Sequence, residues 1–435
     1  MSENARLHPQ YHLSTPPPFV IDEVARIQYL CLGNPIPGRT LIENIKEEVP
    51  PYTFLVPKGV AQYYTSRAEA SQALIVAIEQ AFKHVLESCN GRRIIVPLSA
   101  GYDSRLILCM LRKAQYDNVL CYSVGKRNGG EQQVAEDVAQ RLEYPFVHIN
   151  FENKEYVMQQ VGSEAFERYV NYVGGLTNFL WLFEYNALLY LEKKGLAQQG
   201  DIYMPGHLGD YLGGSKLSLI DPSETMTSRE IATRFMCYQA EYLHLLSVRE
   251  RRQVTLQLAS FYDSLGDEYT PLSRINQFIA SIRIVPNINN SARAAQFLGY
   301  EVVLPFWDTT LIDWFKRMPI AYLKGKHLYN ETLYTHFFAP LQVTEGALRH
   351  DYQLTTLQRL LGRLKLILPS SLLTLRHRPD YLGEDILAEP LLEELIRDGV
   401  IGAENECLSS NEIMLRWYLH HVRQTLAETV LPTAM

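Results

Sequence analysis

The chain has 435 residues, 47% of them hydrophobic and 20% charged, with a net charge of −7. That length exceeds one ordinary core, so two or three domains, or one domain with a large helical extension, are expected. The acidic balance and the lack of any Lys/Arg-rich tract exclude a dedicated nucleic-acid binder, because a phosphate backbone demands a concentrated basic footprint.

No apolar run approaches the ~20 residues of a membrane span, and the N-terminus lacks a basic segment followed by an apolar core. A cytoplasmic protein without membrane insertion is the expectation. The six cysteines (Cys31, Cys89, Cys109, Cys121, Cys237, Cys407) form no CxxC pair, and several sit in apolar runs such as LILCML. They read as buried, reduced thiols rather than zinc ligands or disulfides.

In chain order, residues 1–18 end in STPPP, a stiff lead-in. Residues 19–65 offer a short helical pattern (Ile21 to Leu32), the turn-rich GNPIPGRT and a strand-like YTFLV, too little to fold alone. Helix is predicted from Ser66 to about Ser88, where Ala70, Leu74, Ala77, Ile78 and Ala81 recur at three- and four-residue spacing. An α/β rhythm follows: strand RIIVPL, helix 102–114, strand NVLCYSV (118–124), loop GKRNGG, a helix with Val134, Val138 and Leu142 on one face, and strand PFVHINF. Such alternation implies right-handed crossovers and a parallel sheet covered on both faces. Ligands of such sheets bind beyond the C-terminal strand ends, where Ser99 and Gly125 fall. Residues 153–195 read helical, and DIYMP (201–205) reads as a buried strand running into GHLGDYLGG. Beyond Thr225 nearly everything reads as helix, interrupted by RIVPNINNS and EVVLPFWD.

The junction PLSAGYDS (97–104) carries the first chemical signal. A β-branched strand stops at small residues, and a helix opens at once with Asp103 and Ser104 in its first turn. Backbone N–H groups and small hydroxyls then point over a helix N-terminus, where the dipole favours an anion such as phosphate. The plain alternative is a small-residue turn with Asp103 complementing the dipole. Neither GxxxxGK[ST] nor GxGxxG is present.

Read as S-x-G-x-D-S, the junction resembles the pyrophosphate-binding loop, usually SGGxDS, of the ATP pyrophosphatases, which cleave ATP to AMP and pyrophosphate. Further on, MPGHLGDYLGG (204–214) resembles the GEGADELFGG signature of the asparagine synthetase branch, and YEVVLPFWD (300–308) resembles its ExRxPFLD segment. YLKGKHLYNETL (322–333) resembles its lysine-bearing segment. The resemblance spans roughly residues 20–340, and its four motifs occur in family order.

The resemblance implies a Rossmann-like parallel sheet with helices on both faces and a mainly helical C-terminal region. It divides the chain into 1–65, similar to the tail of a lost glutaminase domain through TLIENI, a synthetase domain over 66–340, and a helical extension over 341–435. ATP is the implied cofactor, with Ser99, Ala100, Gly101, Tyr102, Asp103, Ser104 and Gly206 around its phosphates. Backbone groups of Leu98, Ser123 and Val124 map to adenine by position. Asp103 and Asp210 map to the Mg²⁺ ligands, a role suited to paired carboxylates completed by phosphate oxygens and water. Glu301 maps to a carboxylate that deprotonates the attacking amine, and Lys326 to the cation at the α-phosphate, with Lys324 a competitor for that role. Glu131 resembles a frequent family acid, although a charge complementing the helix dipole explains it equally well.

Departures from the family matter as much. The chain opens Met1-Ser2 rather than with a cysteine nucleophile, and only 98 residues precede Ser99. Free ammonia, another amine or a separate glutaminase is then expected to supply nitrogen. His207 stands where the family has Glu, and Val303 where it has Arg, so the acyl substrate is expected to differ from aspartate in its usual pose. The leading expectation is an amide-forming ligase acting on a sugar carboxylate for surface-polysaccharide synthesis. A peptide macrocyclase, an ammonia-using asparagine synthetase and a non-catalytic nucleotide-binding subunit remain open, as does self-association. The acidic balance and absence of paired cysteines count against tRNA thiolation.

Overall fold

A computed structural model describes residues 20–47, 53–125, 130–151, 161–217, 226–240, 242–346, 356–373, 385–402 and 408–429. Five parallel strands organise it: β1 (Ile94–Pro97), β2 (Val119–Val124), β3 (Phe146–Ile149), β4 (Ile202–Tyr203) and β5 (Glu301–Val302), in spatial order β3-β2-β1-β4-β5. Ile94 and Val96 project into one apolar core, whereas Ile95 projects into the other. That alternation, with both faces buried, is why these strands read as continuous hydrophobic runs.

The helices before β4 are α1 (Glu23–Leu32), α2 (Arg67–Cys89), α3 (Tyr102–Lys113), α4 (Gly130–Arg141), α5 (Glu164–Gly174) and α6 (Leu182–Lys193). Their starts follow local chemistry: Asp22 accepts the Val24 and Ala25 amides, Ser66 the Glu69 amide, and Ser163 the Phe166 amide. After β4 come α7 (Gly209–Leu212), α8 (Ser228–Gln239), α9 (Val248–Asp263), α10 (Pro271–Ile279) and α11 (Val285–Phe297). Beyond β5 lie α12 (Thr309–Lys316), α13 (His327–Leu333), α14 (Thr356–Ile367), α15 (Asp385–Arg397) and α16 (Ser410–Thr429). The first core joins α1, α2 and α3 to α9 and α12, and the second joins α5 and α6 to α15 and α16.

Two expectations change. Residues 53–56 of YTFLV form no strand; Gln277 and Ser273 side chains take the Phe54 and Val56 amides instead of a ladder. RIVPNINNS is helical: a π-helical turn, Ala280–Ile284, runs into α11, and Pro286 falls in the first turn of α11. Residues 161–195 are mainly helical, as expected, in two helices that part where Gly175 and Leu176 take left-handed φ values of 49° and 59°. Most of the GKRNGG loop and residues 153–160 lie outside the described residues, as does Cys407. The other five cysteines are buried and unpaired. Among the described residues no helix is long and apolar enough to cross a membrane.

Candidate active site

The strand order reverses at β1, so chain leaving β1 and chain leaving β4 diverge and open a crevice between them. A cavity of about 400 Å³ lies there. Ser99, Gly101, Tyr102, Asp103 and Ser104 line it from the β1–α3 junction, and Gly206, His207 and Asp210 from the β4–α7 junction. Lys326, Asn330, Glu184 and Tyr203 line it as well.

Two serines tie the first junction. Ser99 N–H donates to Ser104 Oγ at 3.2 Å, and Gly101 N–H donates to Ser99 Oγ at 3.1 Å. Ala100, standing where the family has glycine, stays out of the left-handed region, so its methyl group brings no backbone strain there. Its carbonyl accepts Arg105 Nη2 at 2.9 Å, while Nη1 reaches the Val343 carbonyl at 2.8 Å. This fully buried guanidinium also lies 5.4 Å from the Phe338 ring centroid. This cation thus fastens the loop from behind through two carbonyl oxygens.

Asp103 and Asp210 meet in the cavity. Asp103 Oδ2 accepts the Asp210 N–H at 2.6 Å, and Oδ1 accepts the Tyr329 hydroxyl at 3.3 Å. So close an approach requires glycine nearby: a Cβ on Gly209 would stand 2.5 Å from Asp103 Cγ, and one on Gly206 would stand 2.9 Å from Ser104 N. Burial pushes the Asp103 carboxyl up to about 7; Lys326 pulls against that rise and Asp210 adds to it. The Lys326 ammonium pairs with the Asp210 carboxylate. Lys326 itself holds a left-handed φ of 58° directly after Gly325 at 68°, a conformation costing an ordinary residue about 1–2 kcal/mol.

Two carboxylates opening on one cavity, with space for phosphate oxygens and water, suit a Mg²⁺ ion. Among the described residues no group of three or more His, Cys, Asp or Glu side chains gathers into a metal cluster. Asp103 and Asp210 are the side chains here that could hold such an ion.

Other expected site residues fall elsewhere. Glu301 opens β5 in register with Ile202 and Ile94, the first residues of β4 and β1, so it sits at the N-terminal edge of the sheet, away from the cavity. Its half-exposed carboxylate pairs with Arg92 at 2.5 Å, and Arg92 precedes β1 at that same edge. The assignment of Glu301 to the amine is therefore corrected. Val303 is buried in the core. Lys324 is exposed, unlike Lys326, and does not line the cavity; Glu131 is exposed at the start of α4. Leu98, just after β1, and Ser123 and Val124, which end β2, lie at the cavity's edge of the sheet without lining it; Leu98 N–H donates to the Tyr122 carbonyl at 2.7 Å.

Sequence reasoning missed Glu184. Its Oε1 accepts from Ser291 Oγ at 2.9 Å and its Oε2 from Trp181 Nε1, and burial pushes the carboxyl up to about 7. The same Ser291 Oγ lies 2.9 Å from His207 Nε2. Burial pushes that imidazole down to about 4. The one signal in the sequence was a lone acid inside the apolar run WLFEYNALL.

A parallel sheet in this order, opening at its reversal onto a serine-tied turn and facing aspartates, is the architecture of the PP-loop enzymes that use ATP. Residues 78–333 match a family model described as asparagine synthase. That span is more than half the chain, and the chain belongs to the asparagine synthase family. With membership goes ATP-dependent amidation, the chemistry of a ligase. No curated protein matches the chain.

Proposed function

We propose that the protein joins a carboxylic acid to an amine in two steps. A carboxylate oxygen of the substrate attacks the α-phosphorus of ATP, the bond to the β-phosphate oxygen breaks, and pyrophosphate leaves an acyl-adenylate behind. The amine then attacks the acyl carbon, sheds a proton and displaces AMP. The observation that carries this reading is the meeting of Asp103, Asp210 and Lys326 over the Ser99–Ser104 turn in one cavity.

Ser99, Gly101 and Ser104 offer hydroxyls and a helix N-terminus to the departing pyrophosphate. Ala100 and Tyr102 shape that turn, Gly206 leaves room beside it, and backbone at Leu98, Ser123 and Val124 faces adenine. Asp103 and Asp210 would hold Mg²⁺, which when bound draws charge off the leaving phosphates. Lys326, released from Asp210, neutralises charge at the α-phosphorus; one preorganised donor of this kind is worth about 3–4 kcal/mol.

The acid we favour is a sugar carboxylate, with a role in surface-polysaccharide synthesis. Among the described residues lining the cavity, Lys326 is the one Lys or Arg, and it already faces Asp210. A second carboxylate, such as aspartate carries, lacks a cation of its own there, whereas Tyr203, His207 and Asn330 suit hydroxyls. Ammonia or another amine supplies nitrogen, a separate glutaminase being one source.

The test is pyrophosphate release from ATP with glucuronate, aspartate and no acid. Release that depends on glucuronate supports the reading. ATP binding without release for any acid overturns it in favour of a non-catalytic nucleotide-binding subunit.

A further inference from the structure

Amide formation as proposed above needs an acceptor for the amine's proton, and Glu301 lies at the wrong end of the sheet. Among the described residues lining the cavity, the titratable side chains besides Asp103, Asp210, Lys326 and two tyrosines are His207 and Glu184.

We infer that His207, Ser291 and Glu184 form a proton relay: His207 Nδ1 takes the proton from the attacking amine, and Ser291 passes one on to Glu184. This inference rests on the functional reading above.

The hydrogen bonds set its direction. Ser291 Oγ donates its one hydrogen to Glu184 Oε1 at 2.9 Å, so toward His207 Nε2, also 2.9 Å away, it can only accept. Nε2 therefore carries the hydrogen, and Nδ1 keeps a lone pair for the cavity. As the amine nitrogen bonds to the acyl carbon, its N–H bond breaks and Nδ1–H forms. The Nε2 hydrogen passes to Ser291 Oγ while the Ser291 hydrogen passes to Glu184 Oε1. The imidazole ends neutral in its other tautomer and the carboxylate ends as the acid, so the step balances without another reactant.

Burial suits both ends. It keeps the imidazole neutral with a pKa of about 4, and it lifts Glu184 to about 7, where a carboxyl can both accept and release a proton near neutrality. The other titratable groups facing Glu184 are the phenols of Tyr122, Tyr169 and Tyr203, all raised and neutral. Asp103, Asp210 and Lys326 share the cavity with His207. Because the relay needs Glu184 ionised, the amine step should rise with pH through about 7.

The two half-reactions separate the claims. Pyrophosphate–ATP exchange with glucuronate or aspartate reads adenylation, and amide formation on adding ammonium chloride reads the amine step. In Ser291→Ala and Glu184→Gln the ratio of amide formation to exchange should fall about 10²–10⁴-fold. Ser291→Thr, which keeps a hydroxyl, should recover most of it, and the pH midpoint near 7 should vanish in Glu184→Gln. Equal loss of both half-reactions, or an unchanged ratio, overturns the relay alone. So does a ¹⁵N NMR spectrum of the free protein placing the His207 hydrogen on Nδ1. Absence of exchange in the wild type with either acid overturns the functional reading and the relay with it.

Discussion

Replacing Gly209 with alanine asks whether Asp103 and Asp210 are held together by shape. The added Cβ would stand 2.5 Å from Asp103 Cγ and 2.6 Å from Oδ1, roughly an ångström inside ordinary contact. Asp103 cannot yield freely, because its Oδ2 takes the Asp210 N–H at 2.6 Å. Turning the side chain off its rotamer costs about 0.5–1.5 kcal/mol. The hydrogen bond it gives up, made to a carboxylate above neutral pH, is worth about 1.5–3 kcal/mol. Gly209→Ala should therefore lose about 2–4 kcal/mol of stability, read as a lower urea midpoint at pH 8. With the carboxylates misplaced, acid-dependent pyrophosphate release should fall at least about 10²-fold. Gly59→Ala is the control: nothing lies within 4 Å of its added Cβ, so stability should move by less than about 0.5 kcal/mol. Equal midpoints for the two variants, with pyrophosphate release undiminished, would refute the argument from shape.

Lys326→Met should lower pyrophosphate release about 10²–10³-fold in steady-state assay; a loss under about tenfold would assign the α-phosphate to another group. Glu301→Gln should leave turnover within about twofold, since its exposed pair with Arg92 is worth under about 1 kcal/mol; a hundredfold drop would return Glu301 to the reaction. Glu184, raised from the ordinary 4.5 to about 7, makes the folded state bind more protons than the unfolded chain in that window, so wild-type stability should fall as pH rises through it. Glu184→Gln should remove Glu184's share of that slope, leaving the share of Asp103, and so gain about 3 kcal/mol relative to wild type between acid and pH 8; urea midpoints of the two proteins that run parallel across pH would sink this account.

The parts legible in the sequence are those whose cause is local. Strand, small-residue turn and helix follow one another between Ile94 and Lys113, so the anion-facing junction could be read from contiguous residues. Asp210 was legible only through the resemblance of MPGHLGDYLGG to a family signature; that its neighbours Gly206 and Gly209 let it approach Asp103 is visible only in the structure. Glu301 was misplaced for the complementary reason: a motif fixes a position in the chain but not which edge of the sheet that position occupies. The relay escaped notice because Glu184 and Ser291 are 107 residues apart and become neighbours only when α6 packs beside α11. Pro286 misled in RIVPNINNS because a proline within a helix's first turn looks, in sequence alone, like a proline that ends one.

The reversal of strand order explains why so many unfavourable groups share one end of this sheet. Two chains diverging from β1 and β4 leave a hole whose walls bring backbone, hydroxyls and ionisable groups together beside Pro97, Pro205 and two tyrosine rings. Asp103 and Glu184 are raised there by burial, and Lys326 holds a left-handed backbone beside Asp210. Charges held in a prearranged, partly buried site act strongly on a reacting phosphate or amine, whereas the same burial destabilises the fold. The apolar cores on the two faces of the sheet offset that cost. The spacing Gly206, Gly209, Asp210 is then as much a packing unit as a chemical one: with either glycine replaced, the Asp103 side chain or its backbone neighbour must shift, and the two aspartates lose the arrangement proposed to face the phosphates.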